Sequence, residues 1–103
     1  MGKPENRIEK KLCSGVKALG GKAYKFVSPG TNGVPDRVIC LPNGKVIFAE
    51  TKAPNGVLSK QQLHRINEMR RMGQKVFIPS TEEQVDLLLA EIEEGLSDGV
   101  HTP

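Results

Sequence analysis

The run DRVICLPNGKVIFAETK, residues 36–52, constrains this chain more than any other stretch. Val38-Ile39-Cys40-Leu41 and Val46-Ile47-Phe48-Ala49 are short apolar segments rich in β-branched residues. Segments of this length bounded by turn residues are read as strands, here over 36–41 and 45–52. Between them Pro42-Asn43-Gly44 supplies a turn, with Asn43 and Gly44 both able to take positive φ, so the two strands fold back as a hairpin. Side chains alternate along a strand, so positions 46, 48, 50 and 52 share one face. Val46 and Phe48 are expected to anchor that face in the core, with Glu50 and Lys52 emerging at the strand's end. Asp36 opens the antiparallel partner at the same end. Asp36 and Glu50 therefore converge, although 14 positions separate them.

The remaining elements follow from periodicity and punctuation. Ile8, Leu12, Val16 and Leu19 recur at helical spacing over 4–19, and Gly20-Gly21 ends the run. KAYKFV, 22–27, alternates as a strand should. SPGTNGVP, 28–35, carries two glycines and two prolines and reads as a loop with special backbone needs. After a second loop, APNGVL at 53–58, Ser59 is an N-cap for a helix over 60–72 that Gly73 ends. QKVFIP, 74–79, reads as a fourth strand. Ser80 or Thr81 caps a last helix to about Glu94, with Val85, Leu88, Leu89 and Ile92 as its apolar stripe. The order is α-β-β-β-α-β-α. It is expected to form one domain over residues 1–95, followed by a flexible tail over 96–103.

With 103 residues there is room for one core and not for two. No apolar run approaches the roughly 20 residues of a membrane span. The N-terminus MGKPENRIEKK lacks the apolar segment of a secretory signal, so the cytoplasm is the expected compartment. Cys13 and Cys40 are read as small core residues, because no CxxC or HxxxH spacing accompanies them. His64 and His101 are read as surface residues. The charge distribution is more telling than the net +3: residues 1–75 hold all 15 Lys+Arg and five acids, whereas 76–103 hold seven acids and no Lys or Arg. A basic body of this kind suits a polyanionic partner. The acidic C-terminal part could keep the protein soluble or mask the basic face.

Two clustered carboxylates raise each other's pKa unless a cation sits between them. Their hard oxygens favour Mg²⁺ or Mn²⁺, which would polarise a phosphate oxygen and acidify a bound water. Lys52 would orient that water or stabilise charge on the phosphate. The same three residues could equally make a surface salt-bridge cluster. A third carboxylate could come from the first helix, where Glu5 and Glu9 lie on or beside the apolar stripe. Gln62 falls within the arc of Leu63, Ile66 and Met69, so its amide should reach a partner: the Lys52 amine or a metal-bound water. The 28–35 loop leads straight into Asp36. Its Gly30 and Gly33 let backbone N–H groups approach phosphates, and Ser28, Thr31 and Asn32 can donate as well. Lys25, Arg37, Lys60, Arg65 and Arg71 are candidate phosphate contacts. Tyr24 and Phe26 are too few for a base-stacking platform. Arg70, near the arc of the second helix, would snorkel.

Together these residues resemble the VRR-NUC family of the PD-(D/E)xK nuclease superfamily. The resemblance is carried by GVPDR (33–37), a strand and turn, then VIFAETKAP (46–54), with Leu58-Ser59-x-x-Gln62 matching an LSxxQ motif. It spans roughly residues 5–90. It implies an α/β fold with a mixed sheet, of the restriction-endonuclease-like kind. It further implies that Asp36 and Glu50 are metal ligands with the Thr51 backbone carbonyl, that Lys52 is the catalytic lysine, and that Gln62 assists. Glu9 best resembles the helix-one glutamate, with Glu5 the competing choice. The chain looks like the compact stand-alone members of phages and bacteria, which are associated with homodimers that cut four-way DNA junctions. The implied activity is a Mg²⁺- or Mn²⁺-dependent DNA endonuclease selective for branched DNA such as Holliday junctions, working in the host-cell cytoplasm if phage-encoded. The alternatives are a nuclease for nicks, flaps or RNA, and a non-catalytic nucleic-acid-binding module on the same fold.

Overall fold

The computed structural model describes the backbone over residues 4–99 and side chains over 6–97. Seven elements follow one another: α1 (Pro4–Ala18), β1 (Lys22–Lys25), β2 (Arg37–Cys40), β3 (Val46–Ala49), α2 (Lys60–Arg71), β4 (Val76–Phe77) and α3 (Glu82–Gly99). The strands form one sheet in the order β1-β2-β3-β4. β1–β2 and β2–β3 are antiparallel, and β3–β4 is parallel, so the sheet is mixed as the resemblance implies. Parallel pairing needs a crossover, and α2 supplies it.

The β2–β3 turn has the expected place and a different build. Gly44 N–H donates to Leu41 O at 3.0 Å, and Leu41 N–H donates to Lys45 O at 2.9 Å. Pro42 occupies the second turn position, where its fixed φ is favoured. Within this turn only Gly44 (φ +87°) is left-handed, and no described non-glycine residue has positive φ. Asn43 contributes through its side chain instead, accepting the Lys45 N–H at 3.0 Å.

The two sheet faces bury separate cores. Ile39, Ile47 and Ala49 pack with Ile8, Leu12 and Val16 of α1 and Val85, Leu88 and Ile92 of α3. On the other face Phe48 and Phe26 pack with Ile66 and Met69 of α2 and with Val76. The alternation of Ile47, Phe48 and Ala49 along β3 makes this division. Val46 departs from expectation. It is 45% exposed, because the α2 core stops at Phe48 and Val46 faces an open groove shared with Lys75 and Glu94.

Helix boundaries explain two further differences. α2 starts at a capping box in which the Ser59 hydroxyl accepts the Gln62 N–H and the Gln62 side chain accepts the Ser59 N–H. That rotates Gln62 inward and leaves Leu63 half exposed, so Leu63 is not part of the core arc. α3 continues to Gly99, past the expected end at Glu94, because Leu96 keeps packing on the α1–α3 core beyond Gly95. Residues 100–103, with His101, lie outside the described residues. The acids of α3's first turns meet Lys11 of α1, at 3.5 Å from Glu82 and 3.1 Å from Asp86. Cys13 and Cys40 are free and half-buried. Among the described residues no helix is long and apolar enough to cross a membrane.

Candidate active site

The β2–β3 register pairs Arg37 with Ala49, so the next rung outward sets Asp36 opposite Glu50. Side chains replace the ladder there. Asp36 N–H donates to Glu50 Oε1 at 3.1 Å. The Asp36 carboxylate in turn accepts from Thr51 N–H at 3.3 Å and from the Thr51 hydroxyl at 3.1 Å. On the opposite flank Glu50 N–H donates to Phe77 O and Lys52 N–H to Pro79 O, continuing the parallel pairing beyond β4. The strand end is thus held from both sides.

Glu50 and Thr51 are the buried polar residues of the described chain, 6% and 4% exposed. Burial first, and then the Asp36 charge, push the Glu50 carboxyl up to about 7; Lys52 and the Asp36 N–H oppose the shift. Burial also raises Asp36, against the two Thr51 hydrogen bonds. Lys52 Nζ stands 3.7 Å from Glu50 Oε2. Gln62 Nε2 donates to the same Oε2 at 3.2 Å. Gln62 therefore reaches Glu50, not the Lys52 amine.

Two hard carboxylates side by side in a desolvated strand end are a donor set that a divalent cation fits, since the cation would lower both raised pKa values. Among the described residues, no group of three or more His, Cys, Asp or Glu side chains gathers closely enough to hold a metal. A third oxygen would have to come from elsewhere.

Glu9 is not gathered with the pair. Its Oε2 is held by Arg37, at 3.0 Å from both Nε and Nη2. It still lines one cleft with Asp36, Thr51, Asn6 and Lys25, and its charge raises the Asp36 carboxyl. The side chain of Glu5, the other candidate, lies outside the described residues. Arg37, a phosphate-contact candidate on β2, is half-buried, and its guanidinium is engaged by Glu9 and by the Ala23 carbonyl, 3.1 Å from Nη1.

The other phosphate-contact candidates divide between two clefts. Lys25 is exposed on the cleft beside Asp36. Gly30, Asn32, Lys60 and Arg65 line a second cleft together with Gln61 and His64. Arg65 also has structural ties, donating through Nε to Asn32 O at 3.1 Å and pairing with Glu68 at 2.8 Å. Ser28 and Thr31 are half-buried, with Thr31 N–H donating to Ser28 O at 3.0 Å inside the loop. Arg71 is exposed, and Arg70 donates to Val76 O.

Sequence reasoning missed the Thr51 hydroxyl, the Glu9–Arg37 pair and Asn6. Asn6 was findable, since it precedes Glu9 by one helical turn on α1 and so shares its face. The Thr51 hydroxyl depends on strand register and the Glu9–Arg37 pair on the packing of α1 against the sheet, neither of which a local pattern announces.

The sequence matches no family model. It is 45% identical over 86 residues to "Putative nuclease p44" of Acyrthosiphon pisum secondary endosymbiont phage 1, covering 84% of this chain and 92% of that protein. The fold matches a solved structure described as a VRR_NUC domain with a TM-score of 0.82 and 32% identity, over 86% of this chain and 97% of that one. Kinship of this extent, in sequence and in fold, settles the classification: the chain belongs to the VRR-NUC family of the PD-(D/E)xK nuclease superfamily.

Proposed function

We propose that this protein is a nuclease, specifically a divalent-metal-dependent DNA endonuclease with Asp36, Glu50 and Lys52 at its centre. The observation that carries this reading is the interlocked Asp36–Glu50 pair, with Glu50 buried and Asp36 half-buried, and Lys52 Nζ 3.7 Å from Glu50. A desolvated acid pair costs stability, and a surface salt-bridge cluster has no need of one. Asp36, Glu50 and the Thr51 carbonyl would hold Mg²⁺ or Mn²⁺. The ion would supply Lewis acidity toward a phosphate oxygen and a more acidic water.

The chain's own residues set the stage for that chemistry. Thr51 fixes the Asp36 carboxylate through two hydrogen bonds. Gln62 and the Asp36 N–H fix one oxygen each of Glu50. Lys52, 18% exposed at its side chain, can reach solvent and place positive charge beside a bound phosphate. Glu9 would act from the cleft wall, with Arg37 as its counter-ion. Lys25 on one side and Gly30, Asn32, Lys60 and Arg65 on the other would carry the DNA backbone, with Ser28 and Thr31 shaping the loop between. Branched DNA such as a Holliday junction as substrate and a homodimer as the working form rest on the family resemblance, and the cytoplasm as its place rests on the sequence reading.

The test is cleavage of a synthetic four-way junction with Mn²⁺ by wild type, Asp36→Asn and Lys52→Ala. Nicked, flapped and duplex DNA and RNA run in parallel. Loss of cutting in both variants is expected, with the junction cut fastest. Undiminished cutting by both would remove the catalytic assignment, and preference for another substrate would replace the junction. A wild type that binds DNA and cuts nothing would make the protein a binding module.

A further inference from the structure

Glu50 is held by two arms that arrive from different parts of the chain. One is the 28–35 loop, which delivers the Asp36 N–H to Oε1. The other is the first turn of α2, which delivers Gln62 Nε2 to Oε2. The arms touch each other at one residue. Gly33, three positions before Asp36, has φ +87°, and a Cβ there would lie 2.4 Å from the carbonyl oxygen of Gln61 and 3.0 Å from the Gln62 nitrogen. Its backbone therefore lies flush on the peptide that leads into Gln62. Pro35, between Gly33 and Asp36, is fully buried, so a shift at Gly33 has little slack on its way to the site.

Gln62 has no freedom to absorb such a shift. Its Oε1 accepts the Ser59 N–H at 2.9 Å in the capping box, and this turns Nε2 toward Glu50. The amide is thus oriented by the helix start, and the helix start is seated by the loop. Arg65 reinforces the seat from the next position, donating to Asn32 O at 3.1 Å.

We propose that Gly33 is a positioning residue: by letting the Asp36 loop dock directly on the Gln61–Gln62 backbone, it keeps the Gln62 amide on Glu50 and the carboxylate pair in one geometry. The proposal rests on the nuclease reading for its consequence, metal affinity, and on geometry alone for its cause. Positive φ by itself does not explain the contact. Gly44 has the same φ of +87°, and nothing lies within 4 Å of a Cβ placed there. Gly44→Ala is therefore the matched control for backbone strain.

The experiment uses the full chain as wild type, Gly33→Ala, Gly44→Ala, Gln62→Ala and the Gly33→Ala/Gln62→Ala double variant. The first readout is the side-chain amide NMR signal of Gln62 in metal-free protein, identified as the one missing from Gln62→Ala. The second is Mn²⁺ affinity by calorimetry. In folded Gly33→Ala the amide signal should move toward that of a solvent-exposed glutamine, and Mn²⁺ affinity should fall about tenfold, as for other residues that orient metal ligands. Gly44→Ala should leave both unchanged. Gly33→Ala should cost nothing further when Gln62 is already Ala, because the two act in series. An unmoved amide signal, equal effects from Gly44→Ala, or additive losses in the double variant would each overturn the proposal. If Gly33→Ala does not fold, Arg65→Met takes its place with the same expected direction, and an unmoved signal there overturns the proposal too. Absence of Mn²⁺ binding by wild type would sink the nuclease reading instead; the amide signal would still decide the role of Gly33.

Discussion

The Asp36 N–H donates to Glu50 Oε1 at 3.1 Å, while the carboxylate of Asp36 turns to Thr51, the residue after Glu50. Each acid is therefore anchored by the other's strand. Hydrogen bonds hold the pair together in the metal-free protein, but they do not neutralise it. Glu50 stays high, at about 7. Burial and the Asp36 charge together keep the proton on Glu50 at pH values where an ordinary carboxyl has lost it.

A pH dependence of stability follows. The Glu50 carboxyl has its ordinary value of 4.5 when unfolded and about 7 when folded. Between these values the native state binds more protons than the unfolded state, so the Glu50 contribution falls as pH rises through that window. The loss is on the order of 2–3 kcal/mol, at roughly 1.4 kcal/mol per pKa unit. Urea unfolding in EDTA at pH 5 and pH 8 should show Glu50→Gln relatively more stable than wild type at pH 8. Saturating Mn²⁺ should reverse the order, since the ion stabilises only the carboxylate-bearing native state. Parallel stability curves for the two proteins in EDTA would remove the claim that Glu50 is shifted.

Gln62 serves as helix cap and as Glu50 donor at once, and the two duties can be separated. Glu at this position would still accept the Ser59 N–H, because capping boxes use Glu and Gln alike. It could not donate to Glu50. Gln62→Glu at pH 5 should unfold within about 0.5 kcal/mol of wild type, whereas Gln62→Ala should lose about 1 kcal/mol with the cap. Both should lose most of the cleavage rate. If Gln62→Glu cuts DNA as wild type does, the Gln62–Glu50 hydrogen bond has no part in the reaction.

Glu9 and Arg37 make a half-buried pair, with side chains 28% and 15% exposed. Glu9→Gln is expected to lower Mn²⁺ affinity about tenfold, the range for groups acting behind a metal ligand. Asp36→Asn should lose it altogether. Arg37→Met should cost about 1–2 kcal/mol of stability, between the values for exposed and fully buried pairs, because it leaves Glu9 uncompensated beside Asp36. Equal affinity losses for Glu9→Gln and Asp36→Asn would make Glu9 a direct ligand after all.

How much of this was legible beforehand depended on whether the information was local. The hairpin was legible because Pro42-Asn43-Gly44 and two apolar runs specify it within a few residues. Convergence of Asp36 and Glu50 followed from that hairpin alone, since the register Arg37–Ala49 leaves them opposite each other. The capping box at Ser59 was half legible. Its Ser was read as a cap, while Gln62 was assigned by a helical wheel that also turned Leu63 inward; the wheel does not know that an N-terminal cap can claim a side chain. The engagement of Arg37 was not legible. Its partner, Glu9, is 28 residues away and reaches it only through the packing of α1 on the sheet. The end of α3 was placed too early, at about Glu94, where the apolar stripe ending at Ile92 ran out. Leu96 carried the helix past it by finding room on the α1–α3 core.

The engaged guanidinium of Arg37 also sharpens what salt should do. A protein that binds DNA through phosphates releases counterions, so affinity falls with salt in proportion to the contacts made. Lys25 is exposed on the cleft that holds Asp36 and Lys60 on the second cleft, and neither forms an ion pair among the described residues. Lys25→Ala and Lys60→Ala should each weaken junction binding across the salt range and reduce the slope of log affinity against log salt by about 1. Arg37→Ala should leave the slope near the wild-type value, because its charge is already spent on Glu9. The measurement is anisotropy of a labelled junction in Ca²⁺ over a series of KCl concentrations. A slope that Arg37→Ala lowers and the two lysine variants do not would transfer the phosphate contacts from Lys25 and Lys60 to Arg37.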